Sequence, residues 1–135
     1  MTKLSSRLDL GRYQRLGMIE AIWGENKSAE QITQILESLK SKYILGFVTR
    51  LSSSKANTIK SIFPEAKYHK EARCLTLGNY LESKNMVGDV VIVSGGTSDL
   101  AVASESDLAL RCHGINSSLL LDVGVAGLHR LLDNL

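Results

Sequence analysis

Residues 88–99 read GDVVIVSGGTSD, and this stretch decides the fold class that we predict. The continuous β-branched run Val90–Val93 is typical of a parallel strand that is covered on both faces. Two glycines then allow a sharp turn, and the polar residues after them are expected to cap a helix that ends near Cys112. A second strand is expected over Ile115–Leu121. The sequence therefore predicts a β-α-β unit of the doubly wound α/β class.

The sequence before this unit predicts a small α+β domain. Ser28, with Gln31 three residues later, matches a capping box at the start of a helix that ends near Ser41. We therefore expect a first domain over residues 1–86 and a second over residues 87–135. The other predicted elements are a short helix or turn followed by an extended piece within Leu8–Trp23, a buried strand over Tyr43–Thr49, a helix from Ser52–Ser54 to Phe63 stopped by Pro64, short strands at Lys67–His69 and Arg73–Leu77, and a linker over Gly78–Gly88.

Composition excludes several function classes. The 135 residues are 44% hydrophobic and 22% charged, as in a soluble globular protein, and the net charge is only +2. The cations form no basic stripe, so we expect no nucleic-acid partner. No apolar run is long enough for a signal peptide or a membrane span, so we expect a cytoplasmic protein without a membrane partner. Cys74 and Cys112 lack metal-site spacing and are expected to be free thiols.

The second domain is expected to be incomplete. An open parallel sheet normally has about four to six strands, and its strands need helices on both faces. Only two strands are predicted before Leu135. The pattern thus indicates either a truncated chain or an obligate partner.

A first candidate site follows the strand that opens the second domain. In the turn Ser94–Asp99, the glycines (Gly96 among them) let the chain reverse, and the helix that follows offers free amide groups to an anion. Thr97 and Ser98 add hydroxyl donors, and Asp99 is suited either to cap the helix or to bind a ribose hydroxyl. The alternative is an ordinary strand-to-helix turn without a ligand, since short Gly-Ser-Thr turns are common.

A second candidate site follows the next strand, in the segment DVGVAGLHR at residues 122–130. Parallel strands present their carboxyl ends at one sheet edge, where ligands bind in such folds. His129 is suited to proton transfer near neutral pH, and Arg130 is suited to bind a phosphate or carboxylate. The alternative is a solvated His-Arg pair on a surface helix.

Three motifs together resemble the LarB family of nickel-pincer nucleotide carboxylases. The run LDLGRYQRLGMIEAIWGENKSAEQI, residues 8–32, is similar to the LarB N-terminal signature, with departures at Leu10, Ile19 and Ser28. SGGTSDLAVASES, residues 94–106, is similar to the family's Ala-Gly-Thr-Ser-Asp-Leu-Pro-Val-Ala-Glu-Glu loop, and DVGVAGLHRLL is similar almost throughout. The recurring signature positions are Asp9, Arg12, Arg15, Gly17, Glu20, Gly24, Lys27, Ser28 and Gln31.

The resemblance implies a fold and a set of site residues. The family's second domain is similar to the flavodoxin-like (PurE-like) sheet of aminoimidazole ribonucleotide carboxylase and mutase. By this resemblance His129 is the catalytic proton-transfer residue. The implied substrate- and phosphate-binding residues are Gly96, Thr97, Ser98, Asp99, Asp122, Gly124, Gly127 and Arg130, and Arg12, Arg15 and Lys27 are candidate contacts from the N-terminal domain.

The resemblance also implies a reaction. LarB-family enzymes carboxylate the pyridinium ring of nicotinic acid adenine dinucleotide with CO2 or bicarbonate and hydrolyse the phosphoanhydride, which releases AMP. A cysteine thiolate adds to the ring first, as in other covalent catalysis. No covalently bound cofactor is expected, Mg2+ is a candidate cofactor without assigned ligands, and the full-length protein is expected to be a homo-oligomer that binds a nucleotide.

The family's cysteine lies near its C-terminus, beyond Leu135 in this numbering. We therefore expect no carboxylation from this chain alone. Two alternatives stay open: a truncated nucleotide-binding protein without turnover, and a protein related to the aminoimidazole ribonucleotide carboxylases and mutases of purine biosynthesis. The N-terminal signature argues against the purine enzyme, which lacks such a domain.

Overall fold

The computed structural model describes residues 9–79 and 87–134. They group into two units, one with residues 9–68 and 75–79 and one with residues 69–74 and 87–134. The fold is mixed α/β and contains parallel strand pairs, which confirms the predicted class. The elements are α1 (Arg12–Leu16), β1 (Ala21–Trp23), α2 (Ala29–Lys40), β2 (Gly46–Thr49), α3 (Ser53–Ile62), β3 (Lys67–His69), β4 (Cys74–Leu77), β5 (Val87–Val93), α4 (Leu100–Cys112), β6 (Ile115–Leu120) and α5 (Leu128–Leu132).

The first unit is built on a four-stranded sheet in the order β1-β2-β4-β3. β1 runs parallel to β2, and β2 runs antiparallel to β4. Helices α2 and α3 pack on each other, and α2 packs on β2. The apolar faces of these elements form one closed core, in which six large side chains are fully buried: Ile32, Leu36, Val48, Leu51, Ile59 and Leu75.

The start of α2 is encoded locally, as predicted. The Gln31 amide donates to Ser28 Oγ at 3.2 Å, and the Ser28 amide donates to Gln31 Oε1 at 3.0 Å. The two bonds satisfy amides that a helix start would otherwise leave unpaired. The helix ends at Lys40, and Ser41 is its C-terminal cap. At the next helix Ser52 is the N-terminal cap, as one of the three predicted serines.

The second predicted strand of this unit is shorter than expected. We predicted a strand over Tyr43–Thr49, but β2 covers only Gly46–Thr49. Tyr43 is fully exposed and has a left-handed backbone with φ +56°, and its amide still donates to the Lys40 carbonyl at 3.0 Å. These residues therefore form the turn that leaves α2. The apolar residues of this turn match a buried strand in composition, although their backbone does not form a strand.

The second unit contains the predicted β-α-β arrangement. β5 and β6 pair in parallel, and α4 packs against both of them. The Asp107 carboxylate fixes the helix to β6, because it accepts a hydrogen bond from the buried Ser117 hydroxyl at 2.7 Å. Arg111 Nε forms an ion pair with the other oxygen of that carboxylate, Asp107 Oδ2, at 3.0 Å.

The prediction that β5 is covered on both faces is wrong for the residues that the structure describes. Val91 and Val93 are 59% and 56% exposed, since within that part of the chain only one helix packs on a sheet of two strands. The predicted linker over Gly78–Gly88 is only partly visible. Its residues 80–86 lie outside the described residues, and its last two residues belong to β5.

Candidate functional site

The first loop (residues 94–99) and the second loop (residues 122–130) begin side by side at the carboxyl ends of β5 and β6. Val93 pairs with Leu120 at the last position of the parallel ladder, so both strands end at the same level. Beyond that pair, the Ser94 amide donates to the Leu120 carbonyl at 3.0 Å. The two predicted sites therefore share one sheet edge, which is the edge that binds ligands in open α/β sheets.

The two loops touch through a pair of glycines. The Gly124 amide donates to the Gly95 carbonyl, and the Val123 amide donates to the Ser94 carbonyl, both at 3.0 Å. A Cβ atom on Gly124 would lie 2.7 Å from the Gly95 carbonyl oxygen, closer than real Cβ contacts. The close approach of the two backbones thus requires glycine at this position of the second loop.

The first loop leaves its hydroxyl groups available. The Gly96 amide donates to Asp99 Oδ2 at 3.0 Å, and the turn Thr97–Asp99 leads directly into α4. Asp99 occupies the N-cap position of α4, but its side chain makes no capping hydrogen bond to the helix, and its second carboxylate oxygen has no partner among the described residues. Thr97 and Ser98 are exposed, and their hydroxyls have no hydrogen bond within residues 9–79 and 87–134.

In the second loop the side chain of Arg130 folds back and contacts Asp122, the first residue of the loop. Arg130 Nη1 donates to Asp122 Oδ2 at 2.7 Å and to the Asp122 carbonyl at 3.3 Å. A Cβ atom on Gly127 would lie only 3.2 Å from Arg130 Nε, so the glycine leaves room for this arrangement. Both charged side chains are 52% exposed. Because exposed ion pairs are weak, an anionic ligand would compete for this guanidinium.

His129 lies in α5 next to this ion pair, and its side chain is exposed. Its ring makes no hydrogen bond to any other residue that the structure describes. An imidazole without a partner has no fixed orientation, and proton transfer requires hydrogen-bond reach to the reacting group. The geometry for catalysis would thus have to come from the bound substrate or from further protein groups.

Ser94 is a feature of this edge that sequence reasoning missed. It is 8% exposed, and its Oγ atom is buried without a hydrogen-bond partner among the described residues. Buried hydroxyls are nearly always hydrogen-bonded. A serine at a strand end is an ordinary residue in sequence, and only burial between the two loops distinguishes it.

The three cations predicted in the first domain have different surroundings. Arg15 Nη2 forms an ion pair with Asp9 Oδ2 at 2.5 Å. Lys27 is partly buried, and its amide donates to the Gly24 carbonyl at 3.4 Å. Arg12 has no such partner. All three belong to the first unit, and their contact with a substrate stays a prediction.

Cys112 is buried on α4, and this burial raises the pKa of its thiol to about 12. It is therefore protonated at neutral pH and is a poor nucleophile. Within residues 9–79 and 87–134 no three His, Cys, Asp or Glu side chains form a group that could hold a metal ion, and the expected use of Mg2+ stays a prediction. None of the helices in that same part of the chain has the length and apolar character needed to cross a membrane.

Comparison with known proteins places the chain in a family. A sequence profile described as the LarB/PurE-like N-terminal domain matches residues 2–79. The match covers the first unit and more than half of the chain, and the second unit adds the parallel β-α-β arrangement with two glycine loops. The chain belongs to the LarB/PurE-like family, which is enzymatic in general.

One relative matches over almost the whole chain. The uncharacterized protein MJ0165 of Methanocaldococcus jannaschii is 29% identical over an alignment of 130 residues, which covers 93% of this chain and 51% of the relative. The chain therefore spans about half the length of the curated relative that it matches. The match therefore extends beyond residue 79 into the second unit.

Proposed function

We propose that the chain is the N-terminal portion of an enzyme that carboxylates the pyridinium ring of nicotinic acid adenine dinucleotide and hydrolyses its phosphoanhydride, releasing AMP for nickel-pincer cofactor synthesis. Family membership supports the general class of activity. The observation that carries the proposal is the contact between the two loops at Gly95 and Gly124, with a hydrogen bond of 3.0 Å. This contact brings the phosphate-type loop and the His-Arg loop to one sheet edge.

In this proposal the first loop binds the nucleotide. The free hydroxyls of Thr97 and Ser98 donate to a phosphate oxygen, because hydroxyls and amides at such turns are the usual phosphate donors. The Asp99 carboxylate would repel a phosphate, so its unused oxygen instead accepts from a ribose hydroxyl. In this arrangement the hydroxyls of the loop bind the phosphate, and its carboxylate binds the ribose.

The second loop serves the chemical steps. Carboxylation replaces a ring C–H bond with a C–C bond to CO2, and it therefore releases one proton. His129 would accept that proton, since an imidazole is the commonest general base in enzymes. Arg130 would leave Asp122 to bind the carboxylate that forms. Hydrolysis of the phosphoanhydride adds one water molecule and releases AMP.

The substrate decides between this proposal and its alternatives. We expect nicotinic acid adenine dinucleotide to raise the melting temperature of the chain and aminoimidazole ribonucleotide to leave it unchanged. A shift with only the second compound would instead favour the purine-type carboxylase. Binding of the dinucleotide without incorporation of labelled bicarbonate would instead match the alternative of a nucleotide-binding protein without turnover.

A matched pair of serines tests the binding loop. Ser98→Ala removes a hydroxyl with no partner among the described residues, whereas Ser106→Ala removes one that donates to the Val102 carbonyl within α4. We expect the first change to weaken dinucleotide binding by about 1 kcal/mol, the typical contribution of one hydrogen bond, and the second to have no effect. Titration calorimetry measures both. Equal affinities for the two variants would remove the first loop from the binding site.

A further inference from the structure

The only tryptophan of the chain is exposed at one edge of the sheet in the first unit. Trp23 ends β1 and pairs with Thr49, the last residue of the parallel strand β2, so both strands stop at the same level. Trp23 is 49% exposed, which leaves a large apolar ring surface outside the core. The carboxyl edge of parallel strands is also where open α/β sheets bind ligands.

The turn that follows β1 holds this indole in place. The Gly24 amide donates to the Thr49 carbonyl at 2.9 Å. Lys55 Nζ, from α3, donates to the Gly24 and Glu25 carbonyls at 3.0 and 2.9 Å. The indole Nε1 donates to Glu25 Oε2 at 3.3 Å, which fixes the edge of the ring. The ring is therefore positioned before a ligand arrives, and this lowers the entropic cost of binding.

Arg50 follows β2 directly and brings a guanidinium to the same ring. Its Cζ atom lies 5.9 Å from the centroid of the Trp23 ring, within reach of a cation–π interaction but beyond the ~3.5–4.0 Å of direct carbon contact. Arg50 is exposed, and its side chain makes no hydrogen bond or ion pair within residues 9–79 and 87–134. A solvated arginine is ordinary by itself, but this one presents five unpaired donors beside a fixed aromatic ring.

The backbone of Arg50 is held in a conformation that costs free energy. Its φ is +50°, in the left-handed region that favours glycine. The fully buried residues Val48 and Leu51 anchor the chain on both sides, and the Leu51 carbonyl accepts from the Tyr68 hydroxyl at 2.9 Å. Glycine would adopt this conformation with less strain, so an arginine here indicates a use for the side chain.

We propose that Trp23 and Arg50 form a binding site for a small planar aromatic ring that carries a phosphate or carboxylate group. The ring stacks on the indole, and the oxyanion accepts two parallel hydrogen bonds from the guanidinium. Glu25 repels an anion, so the oxyanion lies on the Arg50 side of the ring. Neither Trp23 nor Arg50 is among the recurring signature positions or in the two loops, and the inference does not rest on the proposed function.

Fluorescence reports this site directly, because Trp23 is the only tryptophan. The whole chain is titrated with AMP and with benzoate, and separately with adenosine and with inorganic phosphate, which each carry half of the ligand chemistry. We expect a saturable change with AMP or benzoate, with an affinity about tenfold or more above that of either half-ligand. The tighter of the two complete ligands identifies the oxyanion. No saturable change with AMP or benzoate would overturn the proposal, and so would a half-ligand that binds as tightly as the complete one.

A matched pair of arginines separates the site from general charge attraction. Arg50→Gly is compared with Arg73→Gly, because Arg73 is also exposed and left-handed, with φ +51°. We expect the affinity for the tighter ligand to fall about tenfold or more in the first variant and to stay unchanged in the second. Equal loss in both variants would contradict a specific site.

Thermal unfolding tests whether Arg50 only supports the fold. Glycine relieves the left-handed backbone, so we expect no large drop in the melting temperature of Arg50→Gly. Such a drop with an unchanged affinity would make the arginine structural and overturn the proposal. Arg50→Lys keeps the charge but not the planar fork, and we expect it to fold and to recover only part of the affinity. Full affinity in this variant would contradict the paired hydrogen bonds.

A second pair tests the indole. Trp23→Leu removes the ring and keeps an apolar residue in the strand, whereas Tyr43→Leu removes a fully exposed ring from the same unit. We expect titration calorimetry to show a loss of affinity of about fivefold or more in the first variant, the usual contribution of stacking on an aromatic side chain, and none in the second. Unchanged affinity in Trp23→Leu would show that no ligand stacks on the indole.

Discussion

The two units use similar apolar strands but bury them very differently. In the first unit the β4 residues 75–77 are all buried, and so are three of the four residues in β2. In the second unit none of the seven residues of β5 is fully buried, although its sequence is the more β-branched. Strand propensity therefore does not decide burial, because the most β-branched of these strands is the least covered.

The difference shows that the burial of a strand depends on the elements that pack against it. Two helices and an antiparallel partner close the core of the first unit around β2, whereas one helix packs on the strands of the second unit within the described residues. A parallel strand needs layers on both faces. The candidate site is therefore built on the less covered of the two units, and it depends on local contacts between loops.

The largest expected effect lies in the closed core of the first unit. Leu36→Ala removes a side chain that is fully buried, whereas Ile62→Ala truncates one that is 50% exposed on α3. We expect the core change to lower the free energy of unfolding by about 2–5 kcal/mol, and the surface change by much less, because only the core change leaves a cavity. Urea unfolding followed by the fluorescence of Trp23, which lies in β1, measures both. Similar losses in the two variants would mean that this core is not closed.

A smaller effect is expected where the loops of the second unit meet. Gly124→Ala places a methyl group against the Gly95 carbonyl, whereas a Cβ atom on Gly96 meets nothing closer than 3.9 Å. We expect the first change to cost about 1–3 kcal/mol, as other overpacked sites do, and the Gly96→Ala control to cost less. Hydrogen exchange of the β5 and β6 amides reports this unit separately. Unchanged exchange in Gly124→Ala would show that the loops do not pack against each other.

The smallest expected effect tests a feature that is encoded locally. Ser28→Ala removes the hydroxyl that accepts from the Gln31 amide, whereas Ser38→Ala removes one that donates to the Gln34 carbonyl in the last turn of the same helix. Loss of a cap costs about 1 kcal/mol, and alanine in a helix interior is neutral or favourable. Thermal unfolding of the two variants should therefore shift in different directions. A stable Ser28→Ala variant would mean that packing alone holds the start of α2.

Local signals allowed much of the first unit to be predicted. The caps at Ser28 and Ser52, and the stop before Pro64, depend on residues within one helical turn, so the sequence carries them in short patterns. The error at Tyr43 has the opposite origin. Its left-handed backbone follows from the way the chain leaves α2, and no short pattern indicates it.

The two motifs of the candidate site could be predicted from the sequence, but the contacts between and within them could not. The glycines and polar residues of each loop are visible in the sequence, and the parallel strands predict a shared edge. Three features needed coordinates: the contact of Gly95 with Gly124, the pairing of Arg130 with Asp122, and the buried hydroxyl of Ser94. Each depends on atoms that are distant in sequence or on a side-chain conformation.

The sequence by itself determined the α/β class, the helix starts and the two glycine loops, because these follow from backbone preferences and hydrogen bonds over a few residues. The tertiary structure alone decided which strands are buried, which glycine cannot carry a side chain and which arginines lack an acceptor among the described residues. Those properties depend on neighbours brought together by folding. Arg12 and Arg15 illustrate the difference, since they are the same residue type three positions apart, and only the fold gives one of them a carboxylate partner.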